Sequence, residues 1–297
     1  MSRAIFKAIL TEIRPVQWIK NLFVFAGVIF SLSFTRFLPI AQSILAFVIF
    51  CLAASSVYIF NDLIDKKIDN VHPQKRTRPI AAGKLRTPVA LFVSVVLAFI
   101  ALFLSLLLNY WFLLTVFTYI LIMVVYSLIL KRIVIVDVIV ISVGFVLRAM
   151  AGALAIDVAI SPWLILTTFL LALFIGLSKR RYEITLLKED ATEHRNTLSH
   201  YSLSLLDQMI AVVTASTVVT YALYTMADAT YMKFGTRFLG LTIPFVIYGI
   251  FRYLYLVHKR EGGGSPEKTL LTDKPLLIDI LLWGISAIVI VFVSQNL

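Results

Sequence analysis

"NDLIDKKIDNVHPQKRTRPIAAG", from Asn61 to Gly83, follows a long apolar stretch. It holds three carboxylates, Asp62, Asp65 and Asp69, and five lysines or arginines. The aspartates are spaced three and four residues apart. If the preceding helix continues through Asn70, they fall within roughly a 60° arc of one face. Like charges on one stripe repel, so the helix needs something to offset them. One reading is a solvated helix end whose acids pair with Lys66, Lys67, Lys75 and Arg76. The other is a hard divalent cation. Mg2+ takes oxygen ligands, commonly one or two carboxylates, and shares its other positions with water and substrate phosphates. Asn61 adds an amide oxygen next door. At a membrane mouth, beside His72, Lys75, Arg76 and Arg78, the second reading is favoured. Acids for a metal and bases for phosphate oxygens suit a Mg2+–diphosphate substrate.

The rest of the chain supplies that membrane. Sixty per cent of the 297 residues are hydrophobic, only 14% are charged, and mean hydropathy is +0.95. This balance excludes an ordinary soluble domain and indicates a polytopic membrane protein. The single cysteine, Cys51, excludes an intramolecular disulfide and leaves the redox compartment open. The first apolar run follows Arg3, Lys7, Arg14 and Lys20 without a small-residue cleavage signal, so it reads as an uncleaved span. There is no internal repeat, low-complexity tract or Walker-type phosphate loop.

A span needs about 20 apolar residues. The expected spans are 21–36, 40–60, 88–108, 111–130, 134–156, 161–178, 208–230, 238–257 and 276–295, nine in all. The loops 1–20, 61–87, 131–133, 179–207 and 258–275 carry 22 lysines and arginines, and the opposite loops carry only Arg36, Lys233 and Arg237. That bias places the first set in the cytoplasm, with the N-terminus inside. It also accounts for the net charge of +11 as topology, so no nucleic-acid partner is expected. Most polar chemistry falls on loops 61–87 and 179–207.

At Asn61, Asp62, Asp65 and Asp69 the pattern N-D-x-x-D-x-x-x-D resembles the first aspartate-rich motif of the UbiA superfamily of intramembrane prenyltransferases. The resemblance covers essentially the whole chain. It implies a single all-α domain over 1–297: nine transmembrane helices in a ring around a lipid-accessible central cavity, capped by loops 61–87 and 179–207.

Aromatic-acceptor members of that superfamily carry a second aspartate-rich motif after the sixth span. Here the sequence is "LSKRRYEITLL", with Lys179, Arg180 and Arg181 followed by one acid, Glu183. Fixed positive charge suits further phosphate oxygens rather than a further cation. The bland alternative is basic residues obeying the positive-inside rule. The branch this resembles is the decaprenyl-phosphate phosphoribosyltransferases. "RPVQWIKN" (Arg14, Pro15, Trp18, Lys20, Asn21), the run His72–Gly83, "LRAMAG" with Arg148 and Gly152, and Lys179, Arg180 and Glu183 carry the likeness. After residue 258 only Pro266, Glu267 and Asp273 match a similar segment, and no role is assigned to them.

That branch implies transfer of 5-phosphoribose from phosphoribosyl diphosphate to a polyprenyl phosphate in the inner membrane of a bacterium, with diphosphate released. The resemblance gives Asp62, Asp65 and Asp69 to Mg2+. Arg14, Lys20, Asn21, Asn61, Lys75 and Arg78 are expected around the diphosphate or lipid phosphate. Lys179 and Arg180 are expected on the 5-phosphate or the acceptor. Glu183 is expected to orient Lys179, bind a ribose hydroxyl or steady developing positive charge. Tyr201 is a candidate ribose contact, and Arg148 lies mid-span, where a charge faces either a cavity or a structural partner. His194 and His200 lack a metal-ligand set and read as loop residues. Oligomeric state stays open, a homo-oligomer included. The rivals are prenyl transfer from a prenyl diphosphate to an aromatic or haem acceptor, and a secondary transporter. Missing second-site aspartates argue against the first, and the absent repeat argues against the second.

Overall fold

A computed structural model describes residues 3–71, 75–187, 200–259, 269 and 272–296. Among these the secondary structure is helical. His72, Pro73, His194, Pro266 and Glu267 lie outside the described residues, as do residues 188–199 of loop 179–207. Eight helices are long and apolar enough to cross a membrane, and a bent pair brings the number to nine if it forms one span. The long helices group into two compact units, one up to Ser161 and one from Pro162 onward.

The first unit begins with α1 (Arg3–Glu12), a 3₁₀ segment (Pro15–Phe25) and α2 (Ala26–Phe30). Then come α3 (Phe37–Ile64), α4 (Lys66–Val71), α5 (Thr87–Ser105), α6 (Tyr110–Leu128) and α7 (Val136–Ala155). The long helix α3 buries small residues, among them Ala46, Ala53, Ala54, Ser55 and Ser56. Small residues let neighbouring helices approach closely in a membrane. Ser56 Oγ donates to the Ser94 carbonyl of α5 at 2.8 Å, and Ser94 Oγ returns a bond to the Ser56 carbonyl at 2.9 Å. Such interhelical bonds satisfy hydroxyls that lipid cannot. Phe50, Phe112 and Tyr119 form the aromatic centre of this unit's core. Asn109 caps α6 by accepting the Phe112 amide at 2.8 Å.

The expected first span, 21–36, is corrected. Its chain starts at Pro15 as an eleven-residue 3₁₀ run and is bent by 42° from α1. The cause of the bend is visible at Arg14, which holds a left-handed conformation with φ 51° and precedes Pro15. Backbone contact then fixes the segment on α7. A Cβ on Gly152 would collide with the Val24 carbonyl, and one on Gly27 would meet the Gly152 backbone. Hydropathy marks the apolar residues but not this close approach.

The second unit contains α8 (Pro162–Leu187), α9 (Leu203–Met226), α10 (Asp228–Phe234), a 3₁₀ turn (Phe238–Thr242), α11 (Ile243–Lys259) and α12 (Lys274–Asn296). Loop 179–207 is shorter than expected, because α8 runs on beyond residue 178 and α9 starts at Leu203. Lys179, Arg180 and Glu183 therefore ride on helix. Arg181 Nε donates to Asp207 at 2.6 Å, tying α8 to α9. Arg252 pairs with Asp273 through two nitrogens at 3.0 and 2.8 Å, and Asp273 also accepts the Leu276 amide at the start of α12.

Candidate active site

The aspartates lie where α3 passes into α4. The helix is interrupted at Asp65, yet the Asp65 amide still donates to the Asn61 carbonyl and the Asp69 amide to the Asp65 carbonyl, at 2.9 and 2.8 Å. The four-residue rhythm thus crosses the break and keeps the acids on one face, as their spacing implies.

Each acid meets a base. Asp62 is 1% exposed and accepts from Arg14 and from Arg78 Nη1, the latter at 3.0 Å. The same Arg78 nitrogen donates to Asp69 at 2.6 Å, and Asp69 is 2% exposed. Asp65 accepts from Lys131 at 2.5 Å and from the Asn61 amide at 3.1 Å. Burial raises the Asp69 carboxyl above its usual range, while Arg78 and Lys75 pull it back. Arg14 and Arg78, expected at substrate phosphates, are here seated on the aspartates. Lys20 donates to Gln17 at 2.5 Å.

Among the described residues no three His, Cys, Asp or Glu side chains gather to hold an ion. Two carboxylates do converge on one point, since Asp62 and Asp69 both accept from a single cationic nitrogen. Hard oxygen donors of that number suit Mg2+, whose other positions go to phosphates and water. The residue set fits the ion.

Arg78 is carried by a tight turn. Ala82 donates to the Arg78 carbonyl at 2.7 Å, Leu85 to that of Pro79 at 3.1 Å, and Gly83 closes the turn at φ 71°. Glu12, from α1, accepts the Ile80 amide at 2.7 Å and is 1% exposed. Burial, with Asp62 beside it, raises the Glu12 carboxyl well above the ordinary carboxylate range. The sequence reading gives neither Glu12 nor Lys131 a role in the site. No local spacing marks them, because their partners lie 68 and 66 residues away.

Arg148 and Asn21, expected at substrate, are joined to each other inside the first unit. Arg148 donates through Nε to Asn21 Oδ1, through Nη1 to the Gly144 carbonyl and through Nη2 to Tyr119 Oη, each at 2.8 Å. Its guanidinium also sits over the rings of Tyr119 and Phe145. Asn21 is fully buried and donates to Cys51 Sγ at 3.3 Å. The mid-span charge is thereby satisfied by a carbonyl and two side chains, which answers its cost.

In the second unit, Arg180 is buried and pairs with Glu183 at 2.5 Å. Tyr201 is buried just before α9.

These features define an all-helical integral membrane protein whose first unit carries a buried acid–base cluster at a helix end. The chain belongs to the UbiA prenyltransferase family, whose model matches residues 21–272. It is 32% identical to the decaprenyl-phosphate phosphoribosyltransferase of Mycolicibacterium smegmatis, over 93% of this chain and 89% of the relative. The enzyme of that name from Mycobacterium tuberculosis H37Rv is also 32% identical, over 93% of this chain and 91% of its own. Among solved structures, a UbiA homolog from Archaeoglobus fulgidus bound to DMAPP and Mg2+ aligns with TM-score 0.73 and 20% identity, over 96% of this chain and 99% of the other. That likeness establishes the shared fold.

Proposed function

We propose that this protein transfers 5-phosphoribose from phosphoribosyl diphosphate to a polyprenyl phosphate at the cytoplasmic face of a bacterial inner membrane. The observation that carries the reading is the run Lys179–Arg180–Arg181 with Glu183, where aromatic-acceptor members of the family hold a second set of aspartates. The names of the mycobacterial relatives support it, and so does the charge bias of the loops.

The donor carries phosphate at both ends of the ribose, so it calls for several cations. The lipid phosphate is already ionised and attacks C1 itself. No nucleophilic side chain is required, and catalysis consists of positioning and electrostatics. Asp62, Asp69 and Asp65, with the Asn61 oxygen, would hold Mg2+, which would supply positive charge to offset that of the leaving diphosphate. Arg78, Arg14 and Lys75 bring positive charge to the same carboxylates and pass it to the phosphate oxygens of the donor. Lys20 serves the diphosphate or the lipid phosphate. Lys179 and Arg180 receive the 5-phosphate or the acceptor, and Glu183 sets the Arg180 head. Tyr201 contacts the ribose.

The test is transfer of label from ring-labelled phosphoribosyl diphosphate into organic-extractable lipid by the purified protein. One diphosphate should appear per labelled lipid. Activity only with a prenyl diphosphate and an aromatic acceptor would replace this reading with its rival.

A further inference from the structure

We propose that Glu12 is a positioning residue that acts through Arg78, anchoring the turn 78–85 so that the Arg78 guanidinium meets Asp62 and Asp69. The inference rests on the reading that this cluster takes a diphosphate.

Glu12 ends α1, a ten-residue helix too short to cross a membrane. A carboxyl that is 1% exposed must find hydrogen-bond partners, since an unsatisfied buried polar group is costly. The backbone amide of Ile80 donates to it at 2.7 Å. A carboxyl set beside Asp62 is poorly suited to grip a phosphate directly, and Glu12 acts through its neighbours.

Ile80 stands two residues from Arg78, in the turn closed by the Ala82 and Leu85 amides. Fixing its amide fixes the stem of the arginine. The requirement is strict, because a single nitrogen of Arg78 serves two carboxylates at 3.0 and 2.6 Å. Apolar packing reinforces the tie. Ile5, Ile9 and Ile13 lie against the cluster containing Ile80 and Leu85.

The same stretch of chain delivers the second guanidinium. Ser55 Oγ on α3 donates to the Ile13 carbonyl at 2.9 Å, and Arg14 then reaches Asp62 from its left-handed elbow. A left-handed non-glycine residue persists only where its surroundings hold it. Residues 12, 13 and 14 therefore anchor in turn to the turn 78–85, to α3 and to the first aspartate. Both arginines on Asp62 depend on this strap.

The experiment is a double-mutant cycle in the full chain, with Glu12→Ala, Arg78→Ala and the pair, and with Glu12→Gln as the conservative variant. Amide exchange over 78–85, affinity for Mg2+ with inorganic diphosphate, and the donor KM and kcat are measured. Glu12→Ala should speed exchange at 78–85, weaken diphosphate about tenfold and raise KM more than it lowers kcat. Glu12→Gln, which keeps an acceptor for the Ile80 amide, should restore exchange and affinity. In the Arg78→Ala background the Glu12→Ala effect on affinity should vanish. If Glu12→Ala does not accumulate, Glu12→Asp withdraws the carboxylate by one methylene and should act in the same direction. Unchanged exchange, or an equal affinity loss with and without Arg78, overturns the proposal. Wild-type protein that binds diphosphate but transfers no phosphoribose defeats the functional reading while the cycle still judges Glu12. If no diphosphate binds, exchange alone decides: acceleration at 78–85 supports the tie and its absence ends it.

Discussion

Lys131 Nζ lies 2.5 Å from Oδ1 of Asp65, an ion pair between the α6–α7 connection and the end of α3. The same ammonium donates to Asn61 Oδ1 at 3.1 Å. It thus neutralises one aspartate of the motif and orients the neighbouring amide oxygen. Both side chains are largely sheltered, so the pair is worth more than an exposed one. In the proposed function, replacing Lys131 by Ala removes a positive charge from beside the donor. The donor KM should rise by about fivefold or more, with the folded protein still recovered from membranes. Steady-state kinetics check this, and an unchanged KM contradicts a site role for Lys131.

Asp65 is the more exposed acid of the three, so its exchange for Asn removes charge with little change in packing. Asp65→Asn should lower turnover by about a hundredfold or more while insertion and folding stay intact. Near-normal activity at saturating Mg2+ would deny it a metal-holding role.

Arg148 behaves differently. Its replacement by Ala leaves Asn21 and Tyr119 without their donor in a buried setting, a loss of about 3 kcal/mol or more. Arg148→Lys should not rescue it, because an ammonium cannot reach acceptors spread as the guanidinium's are. Thermal unfolding in detergent should shift down by several degrees for both variants. A change confined to KM, with unfolding unmoved, would return Arg148 to the substrate.

In the proposed function Lys179 and Arg180 carry the choice of reaction. Lys179→Ala and Arg180→Ala should each weaken donor or acceptor binding by about tenfold, the usual scale for a lost charge-assisted phosphate contact. Arg180→Ala also releases Glu183 from its ion pair. Kinetics unchanged in both variants would remove the reason for preferring phosphoribosyl transfer.

Much of this architecture is legible before any coordinates. Apolar runs mark α3, α5, α6 and α7 to within a few residues, because lipid demands about twenty apolar residues whatever their packing. The aspartates are legible because helical period places them on one face. The bend at Arg14 is not, since a left-handed arginine answers to tertiary anchors rather than to local preference. Glu12 and Lys131 are hidden for the same reason: each reads as an ordinary loop charge until its distant partner is known. Arg148 shows the converse. Its cost in mid-membrane is plain from the sequence, but only the structure shows a carbonyl, an amide oxygen and a phenol meeting it.

The most direct measurement offers the purified protein both donors at once, labelled phosphoribosyl diphosphate and a labelled prenyl diphosphate, with polyprenyl phosphate and an aromatic acceptor present. Mass analysis of the lipid fraction should show a polyprenyl phosphate heavier by one phosphoribosyl group, with matching release of diphosphate. A prenylated aromatic product, with the polyprenyl phosphate recovered unmodified, would contradict the account.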